Sequence, residues 1–218
     1  ASPPRHKGFV DVLSRHMDNT AITRGLMATY ETELAATSDC DLVMVDGSFI
    51  SQLISIGDAF GKLSENPDWT QARIGDELSA LQPFMDSWIH ALLTEPRFIA
   101  CPKYTTTRAF SSEQNILPSF ARMDTRLFMS LVLAPGEISE AIPLLQNRQQ
   151  GRFIADRFRA AGFDIHEDLP ALLARMCSIY FRPHESSPAI RLDMSRDLYE
   201  NGAALAGVLA IMSDEMSS

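Results

Sequence analysis

The chain has 218 residues, 45% of them hydrophobic and 22% charged, with 11 Gly and 12 Pro. That composition excludes collagen-like, low-complexity and wholly disordered classes. The formal net charge is −9, from 19 Lys+Arg against 28 Asp+Glu, which argues against capture of nucleic acid by a general positive surface.

No run of 18 or more apolar residues occurs, so no transmembrane helix is expected. No secretory signal is visible. Cys40, Cys101 and Cys177 are far apart and form no CxxC, which points to reduced thiols and a cytoplasmic setting.

Phe9–Leu13 alternates and predicts a strand. From Thr20 to Ala36 the pattern is helical, with Ile22, Leu26, Met27, Tyr30 and Leu34 on one face. Asp41–Val45 is a short apolar run suited to a buried strand, and Asp46-Gly47-Ser48 closes it with turn chemistry. Phe49–Leu63 predicts a helix that Asn66-Pro67 breaks. Asp76–Leu93 predicts another, kinked or divided at Pro83.

Arg97–Cys101 predicts a strand, followed by Pro102-Lys103. Ser111–Arg122 reads as loop or short helix, and Leu127–Leu133 as a core strand or buried helical turn. Arg148–Ala161 is a basic-faced helix ended by Gly162, and Leu169–Met176 is helical. Cys177–Arg182 and Ala189–Asp193 form a hairpin around residues 184–188, and Leu198–Ser213 is a single final helix. Helices interleaved with short apolar strands predict an α/β domain with a mixed sheet.

The segment Glu31–Ser48 is the most informative for chemistry. Asp46 ends a buried strand, and Gly47 lets the backbone turn sharply or approach a ligand closely. Glu31 lies on the helix just upstream. Two carboxylates brought together there would hold a hard divalent cation, Mg²⁺ or Mn²⁺, able to activate water and stabilise a phosphodiester displacement. The same residues also fit a plain Asp-Gly-Ser turn and a solvated helical glutamate.

Other motifs carry less. Gly57–Leu63 has the wrong spacing for a phosphate loop, lacks its Ser/Thr and falls in a predicted helix. No GxSxG occurs. The five histidines show no HExxH or paired spacing. Lys103 follows a strand and precedes the hydroxyl-rich segment Tyr104–Arg108, where it could meet phosphate or simply face solvent. Arg148, Arg152, Arg157 and Arg159 form the one basic cluster, diluted by Asp156.

The order of these blocks resembles the NurA nuclease family. Met27–Glu31 resembles its Glu-bearing helix, Asp41–Phe49 its second acidic strand, and Phe98–Lys103 its strand ending in Lys. Met123-Asp124 through Glu137 resembles its Asp, apolar run and Pro-Gly-Glu turn. Ile179–Pro183 and Ile190–Asp193 resemble its closing hairpin.

The resemblance implies an RNase H-like fold, a mixed central sheet flanked by helices, in a single domain over residues 1–218. It implies a Mn²⁺- or Mg²⁺-dependent nuclease acting on DNA ends, a homodimer, and a HerA-type hexameric ATPase translocase as partner. Asp46 and Glu31 would be metal ligands and catalytic. Lys103 would lie near the scissile phosphate, and Lys103, Arg108 and Arg182 would contact nucleic acid.

The chain departs from the pattern in two places. The earlier acidic strand has no counterpart, and no His follows His184. Either those segments lie beyond this sequence, or the protein is a non-catalytic NurA-like subunit that dimerises and docks on the translocase. An unrelated α/β domain has no positive feature in its favour.

Overall fold

The computed structural model describes residues 20–64, 74–102, 123–145, 148–160, 162 and 169–215. The strand predicted at 9–13, the break at Asn66-Pro67, and the segment 111–122 lie outside those residues. The chain divides into two compact units, one helical and one built on a sheet, each assembled from three separate stretches of sequence.

The helical unit contains α1 (Thr20–Thr37), α2 (Phe49–Ser64), α3 (Ile74–Thr94), α5 (Arg148–Ala160) and most of α6 (Leu169–Ala174). Helix α1 packs on α2 through small residues: Gly25, Ala28, Thr29, Thr32 and Ala35 are buried. The helices approach so closely that a Cβ at Gly25 would lie 2.1 Å from the Ala59 Cβ and 2.4 Å from the Ser55 carbonyl oxygen. Two threonines fit this contact because their hydroxyls turn back on their own helix. Thr29 donates to the Gly25 carbonyl at 2.8 Å and Thr32 to the Ala28 carbonyl at 2.7 Å.

Three larger apolar residues of α1 are on the other side. Met27, Tyr30 and Leu34 are 57%, 50% and 73% exposed. The spacing identifies a real helix face, but the core takes the opposite one.

Helix α2 buries Phe49, Leu53, Ile56, Ala59 and Phe60, and α3 buries Met85, Trp88, Ile89, Leu92 and Leu93. Helix α3 runs through Pro83 as one element, where a kink or division is expected from sequence. Helix α5 buries Ile154, Ala155 and Phe158. Two arginines of its basic cluster are engaged within the helical unit. Arg157 pairs with Asp58 and lies over the Phe153 ring at 4.3 Å, and Arg159 pairs with Asp156 at 2.8 Å.

The sheet unit contains β1 (Val43–Asp46), β2 (Phe98–Cys101), α4 (Thr125–Val132), β3 (Ile142–Pro143), β4 (Met176–Phe181), β5 (Ile190–Ser195), α7 (Arg196–Glu200) and α8 (Gly202–Glu215). The five strands lie in the order β1-β2-β5-β4-β3. β1 and β2 are parallel, and every other pairing is antiparallel, so the sheet is mixed.

β4 is buried along its whole length, which fits a central strand covered on both faces. On one face Cys177, Ile179, Phe181, Leu192 and Met194 pack with Leu198 of α7 and Leu205, Val208 and Met212 of α8. On the other, Tyr180 packs with Met129 of α4 and with Ala189.

The hairpin predicted from Cys177–Arg182 and Ala189–Asp193 is present, with Tyr180 opposite Arg191 and Phe181 opposite Ile190; Met176, expected in the preceding helix, is the first residue of β4. Two other expectations are corrected. Of the two readings of 127–133, core strand or buried helical turn, the chain is helical through Val132, with Leu133 as an extended cap, but the helix is not a buried one. Asp124 caps it, accepting the Arg126 and Leu127 amides, and Leu127, Leu131 and Val132 are exposed. The final helix is two helices. The Asn201 amide donates to the Asp197 and Leu198 carbonyls, and its side chain accepts the Ala204 amide, so Asn201 ends α7 and begins α8.

The 184–188 loop is tied to α8 by a hydrogen bond between His184 Nε2 and the Ser213 carbonyl, 2.9 Å long. Among the described residues, no helix is long and apolar enough to cross a membrane.

Candidate functional site

Asp46 is the last residue of β1, at the edge of the described sheet. β1 alternates: Val45 is buried, whereas Met44 and Asp46 are exposed. Because β1 and β2 are parallel, their carboxyl ends lie side by side, with Asp46 in register with Cys101. Gly47 turns the chain with φ 96°, a conformation that strongly favours glycine, and its amide points to the Cys101 carbonyl at 3.4 Å. The carboxyl ends of adjacent parallel strands are where open α/β sheets offer ligand sites.

Glu31 is exposed on α1, in the helical unit. Its Oε2 accepts from Gln52 Nε2 at 3.3 Å, a part-buried contact across the α1–α2 pair. Asp46 belongs to the sheet unit. Lys103 and Arg108 lie outside the described residues.

Arg182 holds backbone together. Its Nη1 donates to the Leu133 carbonyl at 2.8 Å and its Nη2 to the Glu185 carbonyl at 2.8 Å. The guanidinium thereby joins the residue capping the end of α4 to the β4–β5 loop.

The carboxylate buried most deeply among the described residues is one that no sequence motif marks. Asp193 on β5 is 0% exposed. Its Oδ1 accepts from Ser178 Oγ at 2.7 Å and from Arg191 Nε at 2.7 Å, and Oδ2 lies 3.3 Å from Arg191 Nη2. Arg191 and Asp193 are two apart on one strand and so share a face, and Ser178 is directly across in the ladder. The available signal was an Arg-x-Asp alternation inside an otherwise apolar hairpin. The arrangement satisfies a charge inside a sheet, and its chemistry is that of an internal ion pair.

Cys177 is buried on β4. Burial pushes its thiol up to about 11, with Arg196 pulling the other way, so it is a core residue and not a nucleophile.

A divalent cation at Asp46 would need further oxygen donors beside it. Among the described residues, no group of three or more His, Cys, Asp or Glu side chains could hold a metal ion. Asp46 alone offers two carboxylate oxygens, and hard cations take about six. The described residues therefore make no complete cation site, and no reaction step is routed through one.

Comparison with known protein families, characterised proteins and solved structures finds no match to this chain.

Proposed function

We propose that the chain is a metal-dependent DNA nuclease of NurA type with an RNase H-like sheet. In this reading it processes DNA ends as a homodimer, with a HerA-type hexameric ATPase feeding it DNA. The observation that carries the reading is Asp46. It is an exposed carboxylate at the carboxyl end of a parallel strand pair, followed by a positive-φ glycine. The resemblance in block order puts a ligand at this residue and a second at Glu31. Mn²⁺ or Mg²⁺ bound there would supply a Lewis acid for phosphodiester hydrolysis.

The charge supports delivery by a partner. A chain of net charge −9 has no long-range attraction for DNA, so a translocase that supplies the substrate removes the need for one. Unaided duplex binding is then weak and falls steeply with salt.

The test is degradation of linear DNA in Mn²⁺, with and without a HerA-type ATPase. Asp46→Asn keeps the size of the side chain and removes its charge, and should abolish the activity. Cleavage that survives Asp46→Asn overturns the site. A wild-type chain that forms a stable complex with the ATPase but cleaves nothing in any divalent cation is the non-catalytic subunit instead.

A further inference from the structure

Helix α5 is basic in an acidic chain. It carries four arginines against one aspartate, where the whole chain carries −9. Its inner side is closed, with Gly151, Ile154, Ala155 and Phe158 buried. Its outer side presents Arg152, Phe153, Asp156 and Arg159, all exposed, with Phe153 at 50%.

The Phe153 ring is held from one side. Arg157, one turn further on, places its guanidinium carbon 4.3 Å from the ring centroid, and the same guanidinium pairs with Asp58 of α2. The result is a flat cation–π stack anchored to a second helix, with half of the ring's surface still open. A preformed aromatic surface takes a further flat ring at little ordering cost.

The neighbours add anion donors. Arg152 and Arg159 lie seven residues apart, on one side of α5 in the row beside Phe153, and their planar guanidinium groups suit phosphate. Arg159 pairs with Asp156 at 2.8 Å, but both side chains are exposed, and a surface pair of this kind is weak enough to open for another anion. A ring face flanked by guanidinium groups fits a nucleotide. The net charge of −9 opposes capture through phosphates alone, so the affinity must come chiefly from stacking. A base already stacked inside a duplex has no face to offer.

We propose that Phe153, backed by Arg157, is a platform on which an unpaired base of single-stranded nucleic acid stacks, with Arg152 and Arg159 receiving the flanking phosphates. The platform belongs to the helical unit and Asp46 to the sheet unit. It is argued from α5 and α2 alone and does not rest on the nuclease reading.

The test is fluorescence anisotropy of the full chain with labelled strands of about 15 nucleotides, single and duplex. EDTA is present throughout, so failure here and failure of Mn²⁺-dependent cleavage are distinct results. The single strand is supplied as deoxythymidine and as uridine, which tells DNA from RNA as the source. At least one should bind, and more tightly than the duplex. Phe153→Ala should weaken that binding roughly tenfold. Circular dichroism should show the variant folded, since the ring lies outside the core. Phe153→Trp should keep the binding and gain a tryptophan emission that the strand quenches. Arg152→Gln should weaken binding and lower the salt slope by about 0.7. Absence of binding to either strand, a duplex held as tightly as the strand, Phe153→Ala binding like the wild type, or an unquenched emission from Phe153→Trp overturns the proposal.

Discussion

Gly25 of α1 faces Ala59 of α2 at a separation that leaves no room for a methyl group between them. One unit of the chain depends on that contact. It brings two helix backbones close, and it decides which side of α1 faces inward.

Gly25→Ala sets two effects against each other. Alanine favours a helix over glycine by about 1 kcal/mol. The added methyl would stand 2.1 Å from the Ala59 Cβ and 2.4 Å from a backbone carbonyl, and neither is a flexible chain end that can swing away. Overpacking of this kind costs about 1–3 kcal/mol or more, so the clash wins. Chemical denaturation should show a net loss of about 1–2 kcal/mol. A stabilised variant would mean that the helices are further apart.

Asp193 and Arg191 should show the asymmetry of a buried ion pair. Arg191→Ala leaves a fully buried carboxylate accepting from the Ser178 hydroxyl, and should cost about 3 kcal/mol. Replacing both charges, as Arg191→Met with Asp193→Leu, should recover most of that loss, because no charge is then stranded. Urea midpoints of the single and double variants measure the difference. Equal losses in both would show that the pair contributes more than internal compensation.

Cys177 and Cys40 should differ sharply in reactivity. With its pKa pushed up to about 11, Cys177 is thiolate in roughly one molecule per thousand at pH 8, and it is also shielded. Cys40 is exposed. Mass spectrometry after iodoacetamide treatment should find Cys40 modified first and Cys177 modified only on unfolding. The same shift has a consequence for stability. Between an ordinary thiol value of 9.0 and about 11, the folded chain keeps the proton that the unfolded chain loses. Stability from this group is therefore full below pH 9 and declines as the pH rises through that window.

How legible these features are in the sequence depends on what each one needs. The β4–β5 hairpin is legible because alternating apolar residues flank a Glu-Ser-Ser-Pro turn, and each feature is local. Asp46 at a strand end is legible for the same reason. The inward face of α1 is not. Periodicity finds the stripe of Met27, Tyr30 and Leu34, but close helix packing selects Gly, Ala and Thr, which a hydrophobic pattern ranks low. The Asn201 break had a signal in Glu200-Asn201-Gly202, but the apolar repeat on either side masks it. β3 spans two residues and carries no period at all. The Asp193 pair needs knowledge of its cross-strand neighbour, which no single strand contains.

The bond from His184 to the Ser213 carbonyl joins the tip of one hairpin to the last full turn of the final described helix. Shortening α8, or fusing a bulky tag directly onto it, would therefore be felt at residues 184–188, far away in sequence. An affinity handle at that end is a perturbation of the β4–β5 tip, and assays of such fusions should be paired with a version tagged elsewhere.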